Sequence, residues 1–184
     1  TYCENYDLRF TRPADFVLTI DGADNSRLEV HERYEVLRAM FYHETHDKDA
    51  YLDPPDADTP LFKPINLMLQ TATPLLTGNW RASAEVYETG KLTYGNANPA
   101  SADYNSLADF IFEADFVELK LPWQLLNFAD PSRMMVHNDY YDGRYGVELL
   151  SIDTIYLGLT ATQSERAAMY PVSLEPWGNQ VSYH

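Results

Sequence analysis

The most acidic stretch of the chain, residues 43–58, has the side chains that a calcium ion prefers. It reads HETHDKDAYLDPPDAD, and hard cations take six to eight oxygen ligands, which a flexible acidic loop can supply. The stretch predicts a structural calcium site with Asp47, Asp49 and Asp53 as ligands. It is not an EF-hand, because counting from Asp47 gives no glycine at the sixth position and no glutamate at the twelfth. The alternative is a loop whose charges only keep it solvated.

A tyrosine-rich stretch, residues 137–146, has the composition of a ligand-binding loop. It reads HNDYYDGRYG. The ring faces of Tyr140, Tyr141 and Tyr145 can stack on the C–H groups of a sugar, while Arg144 and the neighbouring polar groups bind its hydroxyls. These four residues are therefore predicted to bind a carbohydrate. An ordinary turn-rich loop is the alternative interpretation.

Two shorter loops complete the predicted binding residues. Tyr94, Asn96 and Asn98 place an aromatic ring and two amides in one turn, which suits recognition of hydroxyl groups. The alternative is that both asparagines only bond to their own backbone as turn formers. Trp177 lies in the sequence EPWGN, outside any periodic element, so its ring is the strongest stacking candidate among the three tryptophans.

Other chemistry has weaker support in the sequence. His43 and His46 would bind a transition metal only if helical and with further ligands nearby. Cys3 is the single cysteine, which excludes an internal disulfide and a Cys/His zinc site. Glu118, with Asp115 beside it, is a candidate acid for a glycoside hydrolase, but alternation with a lysine is typical of a solvated strand face.

Composition and charge limit the class of partner. The chain has 184 residues, 45% of them hydrophobic and 22% charged, which is typical of one globular domain. Its formal net charge of −15 repels phosphate backbones, so nucleic acid is excluded as an expected partner. Apolar runs fall far short of the ~20 residues that span a bilayer, and no membrane insertion is expected.

Alternation of apolar and polar residues predicts an all-β chain. Apolar residues take every second position in the segments 16–20, 65–69, 80–86, 117–121 and 155–159. A short helix is expected at residues 122–128, where proline opens the segment, whereas 31–42 fits either a helix or a strand. Short strands joined by long polar loops predict an antiparallel β-sandwich or jelly roll, over residues 1–184, with one or two short helices.

One segment resembles a known family. Residues 115–132, DFVELKLPWQLLNFADPS, resemble the late strand and following turn of DOMON-like, family-nine-type carbohydrate-binding domains, where an acidic or aliphatic strand ends in Ile/Leu-Pro-Trp. Residues 14–22 and 87–99 are similar to tail domains of large bacterial cell-envelope or glycan-processing proteins, some labelled family-two glycosyltransferases. The resemblance implies a jelly-roll sandwich, structural calcium and glycan binding without catalysis. The chain departs from sugar-binding members in having no identifiable pair of loop tryptophans.

The sequence thus predicts a non-catalytic, carbohydrate-binding accessory domain, an excised C-terminal piece of a larger bacterial glycan-processing protein. The resemblance implies a location in the bacterial cell envelope or outside the cell. A structural spacer or protein-interaction module is the first alternative, and a jelly-roll glycoside hydrolase is the second.

Overall fold

The computed structural model describes residues 2–44, 54–74, 81–141, 148–160 and 166–176. Most regular structure in these ranges is strand. The strands are β1 (Tyr2–Cys3), β2 (Leu8–Phe10), β3 (Phe16–Thr19), β4 (Arg27–His31), β5 (Phe62–Pro64), β6 (Asn66–Gln70), β7 (Thr73–Pro74), β8 (Arg81–Ala82), β9 (Glu85–Glu88), β10 (Phe110–Phe112), β11 (Val117–Leu119), β12 (Phe128–Asp130), β13 (Met135–His137), β14 (Leu149–Ser151), β15 (Thr154–Gly158), β16 (Arg166–Ala167) and β17 (Met169–Ser173).

Helices are short. The α-helices are α1 (Gly22–Asn25) and α2 (Val36–Glu44), and 3-10 turns occur at Glu4–Tyr6, Glu32–Tyr34, Trp123–Leu126 and Pro131–Arg133. The prediction of an all-β chain with antiparallel sheets and short helices is confirmed. In the part of the chain that the structure describes, no helix is both long and apolar enough to cross a membrane.

The chain forms two compact units. The first unit comprises Thr1–Phe16, His31–Phe62 and Pro122–His184, and the second comprises Val17–Val30 and Lys63–Leu121. The arrangement of the sheets as a single sandwich stays a prediction.

The first unit contains three small sheets. They are β1–β2–β16, β12–β13–β14 and β15–β17, and all of their pairings are antiparallel except that of β16 with β2. Part of its interior is built around Phe62, whose ring makes edge contacts with Phe10 at 6.5 Å and with His31 at 5.4 Å between centroids. The buried Nε2 of His31 donates a hydrogen bond to the carbonyl oxygen of Thr59 at 2.8 Å, so this imidazole has a structural role.

The second unit contains the antiparallel pairs β6–β9, β7–β8 and β10–β11, together with most of the sheet β3–β4–β5. Its buried residues include Leu28 and Val30 on β4, Leu92 and Phe110. Gly90 lets two segments approach closely, because a Cβ at this position would lie 2.3 Å from the carbonyl oxygen of Leu28. The backbone bond from Leu28 N to Gly90 O, at 2.8 Å, depends on this approach.

The segment 31–42, whose periodicity fits both a helix and a strand, forms a 3-10 turn followed by α2. Glu35 starts the helix, because its side-chain oxygens accept hydrogen bonds from the backbone N–H groups of Leu37 and Arg38 at 3.1 and 2.7 Å. These bonds satisfy donors that have no partner within the first turn of a helix.

The short helix predicted at residues 122–128 is confirmed as the 3-10 turn Trp123–Leu126. Pro122 precedes it, and Asn127 ends it in the left-handed conformation with φ of 57°, which asparagine tolerates better than most residues. The ring of Trp123 packs edge-on against the buried Phe128 at 4.7 Å. The Pro-Trp segment therefore acts as a packing element of the first unit.

The segments predicted from alternation contain strands, although 80–86, predicted as one strand, is divided between β8 and β9 in different sheets. The aliphatic side chains of these strands are not all buried. Leu67 on β6 is 55% exposed and Leu157 on β15 is 57% exposed. Alternation shows that the two faces of a strand differ, but not what covers the apolar face.

Candidate functional site

Two aromatic clusters, one in each unit, contain the described tyrosines that the sequence predicts to bind a ligand. We call Tyr94, Phe110 and Phe112 in the second unit the Tyr94 platform. We call Tyr34, Tyr140 and Tyr141 in the first unit the tyrosine cluster. Each is described separately.

The Tyr94 platform is a triangle of mutually contacting rings. The centroid of Tyr94 lies 5.5 Å from that of Phe110 and 5.7 Å from that of Phe112, and the two phenylalanines are 5.6 Å apart. Phe110 is buried, whereas Tyr94 is 42% exposed and Phe112 is similarly exposed. The buried ring thus holds two solvent-facing rings in place, and edge-to-face contacts of this kind add stability beyond area burial.

Backbone pairing explains why these rings meet. Tyr94 forms an isolated parallel bridge with Phe110, and Gly95 N donates to the carbonyl oxygen of Phe110 at 2.9 Å. Phe110 and Phe112 lie on the same face of β10, since they are two residues apart. The platform is therefore carried by backbone hydrogen bonds and not by side-chain contacts alone.

A hydrogen-bonded loop borders the platform. Asn96 Oδ1 accepts from Asn98 N at 2.9 Å, and Asn96 Nδ2 donates to Ser101 Oγ at 3.0 Å. Asn98 Oδ1 accepts from Ala100 N at 3.0 Å. Both asparagines therefore bond to nearby backbone as turn formers, the alternative to ligand recognition given in the sequence analysis. These bonds also fix the loop in one conformation. Opposite Asn96, the bridge partner Tyr104 is exposed.

Charged side chains lie beside the same loop around a shallow surface depression. The depression is lined by Gly95, Ala97, Asp109, Phe110, Glu118 and Lys120, among others. Asp109 Oδ2 accepts from Thr93 N at 2.8 Å, whereas Glu118 is exposed on β11. Glu118 lies opposite Ile111 in the antiparallel register, so its side chain is on the other face of the β10–β11 hairpin from the Phe110 and Phe112 rings. The polar groups that border the Tyr94 platform are therefore those of the loop 96–101.

The tyrosine cluster is more enclosed. Tyr34 Oη donates to the carbonyl oxygen of His137 at 3.0 Å, and its ring makes an edge contact with Tyr140 at 5.8 Å. Tyr140 is only 6% exposed, and its ring also contacts His137 at 5.8 Å. The Tyr140 ring is thus a packed wall of the first unit, with little face left for a ligand.

Arg33 ties this cluster together. Its Nε and Nη2 donate to Asp139 Oδ2 at 2.7 and 2.6 Å, and its Nη1 donates to the carbonyl oxygen of Pro55 at 2.6 Å. Asp139 Oδ1 also accepts from Tyr141 N at 3.0 Å, and the Arg33 guanidinium lies 5.5 Å from the Tyr141 ring centroid. One arginine therefore connects three segments that are distant in sequence.

The cluster shifts the ionisation of its phenols. Burial raises the pKa of Tyr34 to about 12, with the carboxylates of Asp15 and Asp139 adding to the effect. Burial likewise raises the pKa of Tyr140 to about 12 and that of Tyr141 to about 12, the latter despite the opposing positive charge of Arg38. These phenols stay neutral at physiological pH and act as hydrogen-bonding and packing groups.

Several predicted residues lie outside the described part of the chain. They are the calcium ligands Asp47, Asp49 and Asp53, together with Arg144, Tyr145 and Trp177. Their roles stay predictions. Within the described ranges, no group of three or more His, Cys, Asp or Glu residues is placed to hold a metal ion.

Some residues of these sites were not singled out from the sequence. In the second unit they are Tyr104, Phe110 and Phe112, and in the first they are Arg33 and Tyr34. The sequence shows an aromatic alternation in FIF at 110–112, but nothing in it shows that this segment pairs with Tyr94. The partners Arg33 and Asp139 are 106 residues apart, which no local pattern reveals.

Comparisons of the chain with models of known protein families, with curated proteins and with solved structures find no match. Evidence on function therefore comes from the geometry of the two clusters and from residues 115–132.

Proposed function

We propose that this chain is a non-catalytic binding module that holds a carbohydrate at the Tyr94 platform. The observation that carries the proposal is a partly exposed Tyr94 ring, fixed by Phe110 and Phe112, beside a loop fixed by its own hydrogen bonds. A sugar presents C–H groups on one face and hydroxyls at its edge. An aromatic face beside the polar loop 96–101 complements both.

Preorganisation supports this choice of cluster. The Tyr94 ring is held by two ring contacts and the loop 96–101 is closed by three side-chain hydrogen bonds, so ligand binding has little further conformational entropy to remove. By contrast, the most buried ring of the tyrosine cluster has almost no accessible face. The cluster in the first unit is better suited to stabilising the fold.

The resemblance of residues 115–132 to carbohydrate-binding domains is the basis for proposing a kind of parent protein. We infer an accessory domain of a larger bacterial glycan-processing protein, in which the strands complete a jelly-roll sandwich and calcium stabilises residues 47–53. The support is the strand-rich architecture and the Leu-Pro-Trp segment, which packs as a turn after a β-hairpin.

Isothermal titration against a panel of oligosaccharides tests the ligand. We expect at least one glycan to bind, and Tyr94→Ala to weaken that binding by about tenfold or more, which is the range of an aromatic anchor. Tyr87→Ala is the matched control, because Tyr87 is exposed on β9 of the same unit and belongs to no ring contact described here. A folded protein that is silent across the panel contradicts the proposal, as does equal weakening by both substitutions.

The absence of catalysis has its own test. We expect no turnover of any glycan that binds, and unchanged binding in Glu118→Gln, whose side chain is exposed at the edge of the depression. Turnover that disappears in Glu118→Gln would support the glycoside hydrolase alternative instead.

A second candidate function is a protein-interaction module without sugar binding. The observation that favours it is the exposed apolar side of the β6–β9 pair, where Leu67 lies opposite Tyr87 and both are more than half exposed. Exposed apolar faces on sheets mark interaction sites more often than isolated apolar residues do. Glycan titrations without heat, together with an intact fold, would favour this function.

A further inference from the structure

We propose that the chain self-associates through one face of the β15–β17 sheet in the first unit. The face comprises Ile155 and Leu157 on β15 and Tyr170 and Val172 on β17, with Leu159 directly after β15, and we call it the β15–β17 face. Ile155 lies opposite Val172 and Leu157 lies opposite Tyr170 in the antiparallel register, so these side chains point to the same side. All except Ile155 are exposed, and Leu159 is 92% exposed.

The opposite side of this sheet contacts the N-terminal segment of its own unit. The guanidinium of Arg12 lies 3.9 Å from the ring centroid of Tyr156, and Met169 N donates to Thr11 Oγ1 at 3.2 Å. Tyr156 alternates with the residues of the β15–β17 face along the strand. Residues 11 and 12 therefore contact this sheet, while Tyr156 stays 39% exposed and Leu157 and Tyr170 of the β15–β17 face are more than half exposed.

Charge favours a second copy of the chain as the occupant. The chain has a formal net charge of −15, so two copies repel each other at most orientations. Neither β15 (TIYLG) nor β17 (MYPVS) has a charged residue. A cationic partner would find no carboxylate on this face, whereas two copies can bring these uncharged faces together with the least repulsion.

Face-to-face stacking is the arrangement that buries these side chains, and strand addition is disfavoured at the β17 edge. Pro171 occupies the centre of β17 and has no N–H to donate to a further strand. Two sheets stacked face to face lie about 10 Å apart, with side chains interdigitated between them. Leu157 and Leu159 of one copy would then contact Tyr170 and Val172 of the other, as in an isologous dimer.

The size of the face predicts a weak dimer. The exposed fractions, from 40% to 92% for its four exposed residues, correspond to roughly 500 Å² of apolar surface per copy. Two copies would bury about 1,000 Å², which is at the lower limit of specific interfaces. Association is therefore expected between micromolar and millimolar chain concentrations.

Sedimentation velocity of the wild-type chain across that concentration range tests the proposal. We expect a monomer–dimer equilibrium that becomes tighter when salt is added, because salt screens the repulsion between two acidic chains. A wild-type chain that stays monomeric throughout overturns the proposal. Association that weakens with added salt also overturns it, since that result would indicate attraction between opposite charges.

Matched variants locate the interface. Leu157→Glu should weaken association about tenfold or more. Leu107→Glu, at a leucine of the second unit that is 75% exposed and belongs to neither proposed surface, should leave it unchanged. Leu159 is 92% exposed, so Leu159→Glu removes no buried contact, and it should act like Leu157→Glu. Wild-type association in both Leu157→Glu and Leu159→Glu, or equal loss in Leu107→Glu, would overturn the assignment to this face.

Discussion

Replacing Asp139 by alanine should destabilise the first unit, because this carboxylate accepts three hydrogen bonds. Two come from Arg33, at 2.7 and 2.6 Å, and one comes from Tyr141 N at 3.0 Å. A net hydrogen bond to a charged group contributes about 1.5–3 kcal/mol, and removal of one partner from a fully buried ion pair costs about 3–5 kcal/mol. Here about a quarter of each side chain stays exposed, 23% for Arg33 and 27% for Asp139, so water can partly solvate the remaining guanidinium.

These considerations place the loss for Asp139→Ala at about 2 kcal/mol in the free energy of unfolding, as measured by urea denaturation. Asp139→Asn should lose about half as much, roughly 1 kcal/mol, because the amide oxygen can still accept the bond from Tyr141 N. A double-mutant cycle with Arg33→Gln should give a coupling free energy of about 1 kcal/mol or more.

The matched control for this prediction is Asp103→Ala, an exposed carboxylate in the second unit. It should change stability by no more than about 0.5 kcal/mol, as surface substitutions usually do. A loss for Asp139→Ala that is also within about 0.5 kcal/mol would show that these hydrogen bonds do not stabilise the first unit. A coupling free energy between Arg33 and Asp139 that is indistinguishable from zero would show the same.

Three further predictions concern the backbone, the phenols and the acidic loop. Gly90→Ala should lower the free energy of unfolding, measured in urea, by about 3 kcal/mol, because the new Cβ would meet the carbonyl oxygen of Leu28. The control is Gly22→Ala, where the space is open and only the positive φ is unfavourable, and it should cost about 1–2 kcal/mol. Equal costs would contradict the steric explanation. Phenolate absorbance should show the tyrosine cluster ionising near pH 12. The stability contributed by these buried neutral phenols should be complete below about pH 10 and lost as the pH rises towards about 12. Ionisation of every tyrosine near pH 10 would contradict the burial of these phenols. Calcium should raise the melting temperature if residues 43–58 bind it to the native state, and a melting curve that neither calcium nor a chelator changes would exclude a tight site there.

The strand-rich architecture could be predicted from alternation because a half-buried strand has a period of two. The segments at β6, β11 and β15 fall within a residue or two of their predicted positions. What covers each apolar face could not be predicted, since that depends on which sheets stack and not on the order of residues in one strand. Leu67 and Leu157 illustrate this, because both have the expected alternation and both remain more than half exposed.

The helix α2 could not be predicted because its sequence supports two periods. Val30, Tyr34, Leu37 and Phe41 have helical spacing, while the odd positions from 35 to 41 fit a strand. The side chain of Glu35 decides between them by capping the backbone of the first helical turn, together with the non-local bond from Tyr34 to His137. Glutamate is not among the strongly preferred capping residues, so this signal is weak in the sequence.

The candidate sites could be predicted only in part, because contacts between residues distant in sequence leave no local pattern. Tyr94 and Asn96 stand out from the sequence as an aromatic and an amide in one turn. The rings that fix Tyr94 come from a segment 16 residues away through a single parallel bridge, which has no sequence signature. Tyr140 also stood out, but burial of its ring follows from packing against Tyr34, 106 residues earlier in the chain.

Binding of a glycan at the Tyr94 platform can be mapped by following backbone amide chemical shifts while a glycan is added. We expect the perturbed amides to cluster at residues 93–105 and 109–112, with little change at 137–141. Saturable shifts confined to 137–141, or none at all while every sugar of the panel is present in excess, would contradict it.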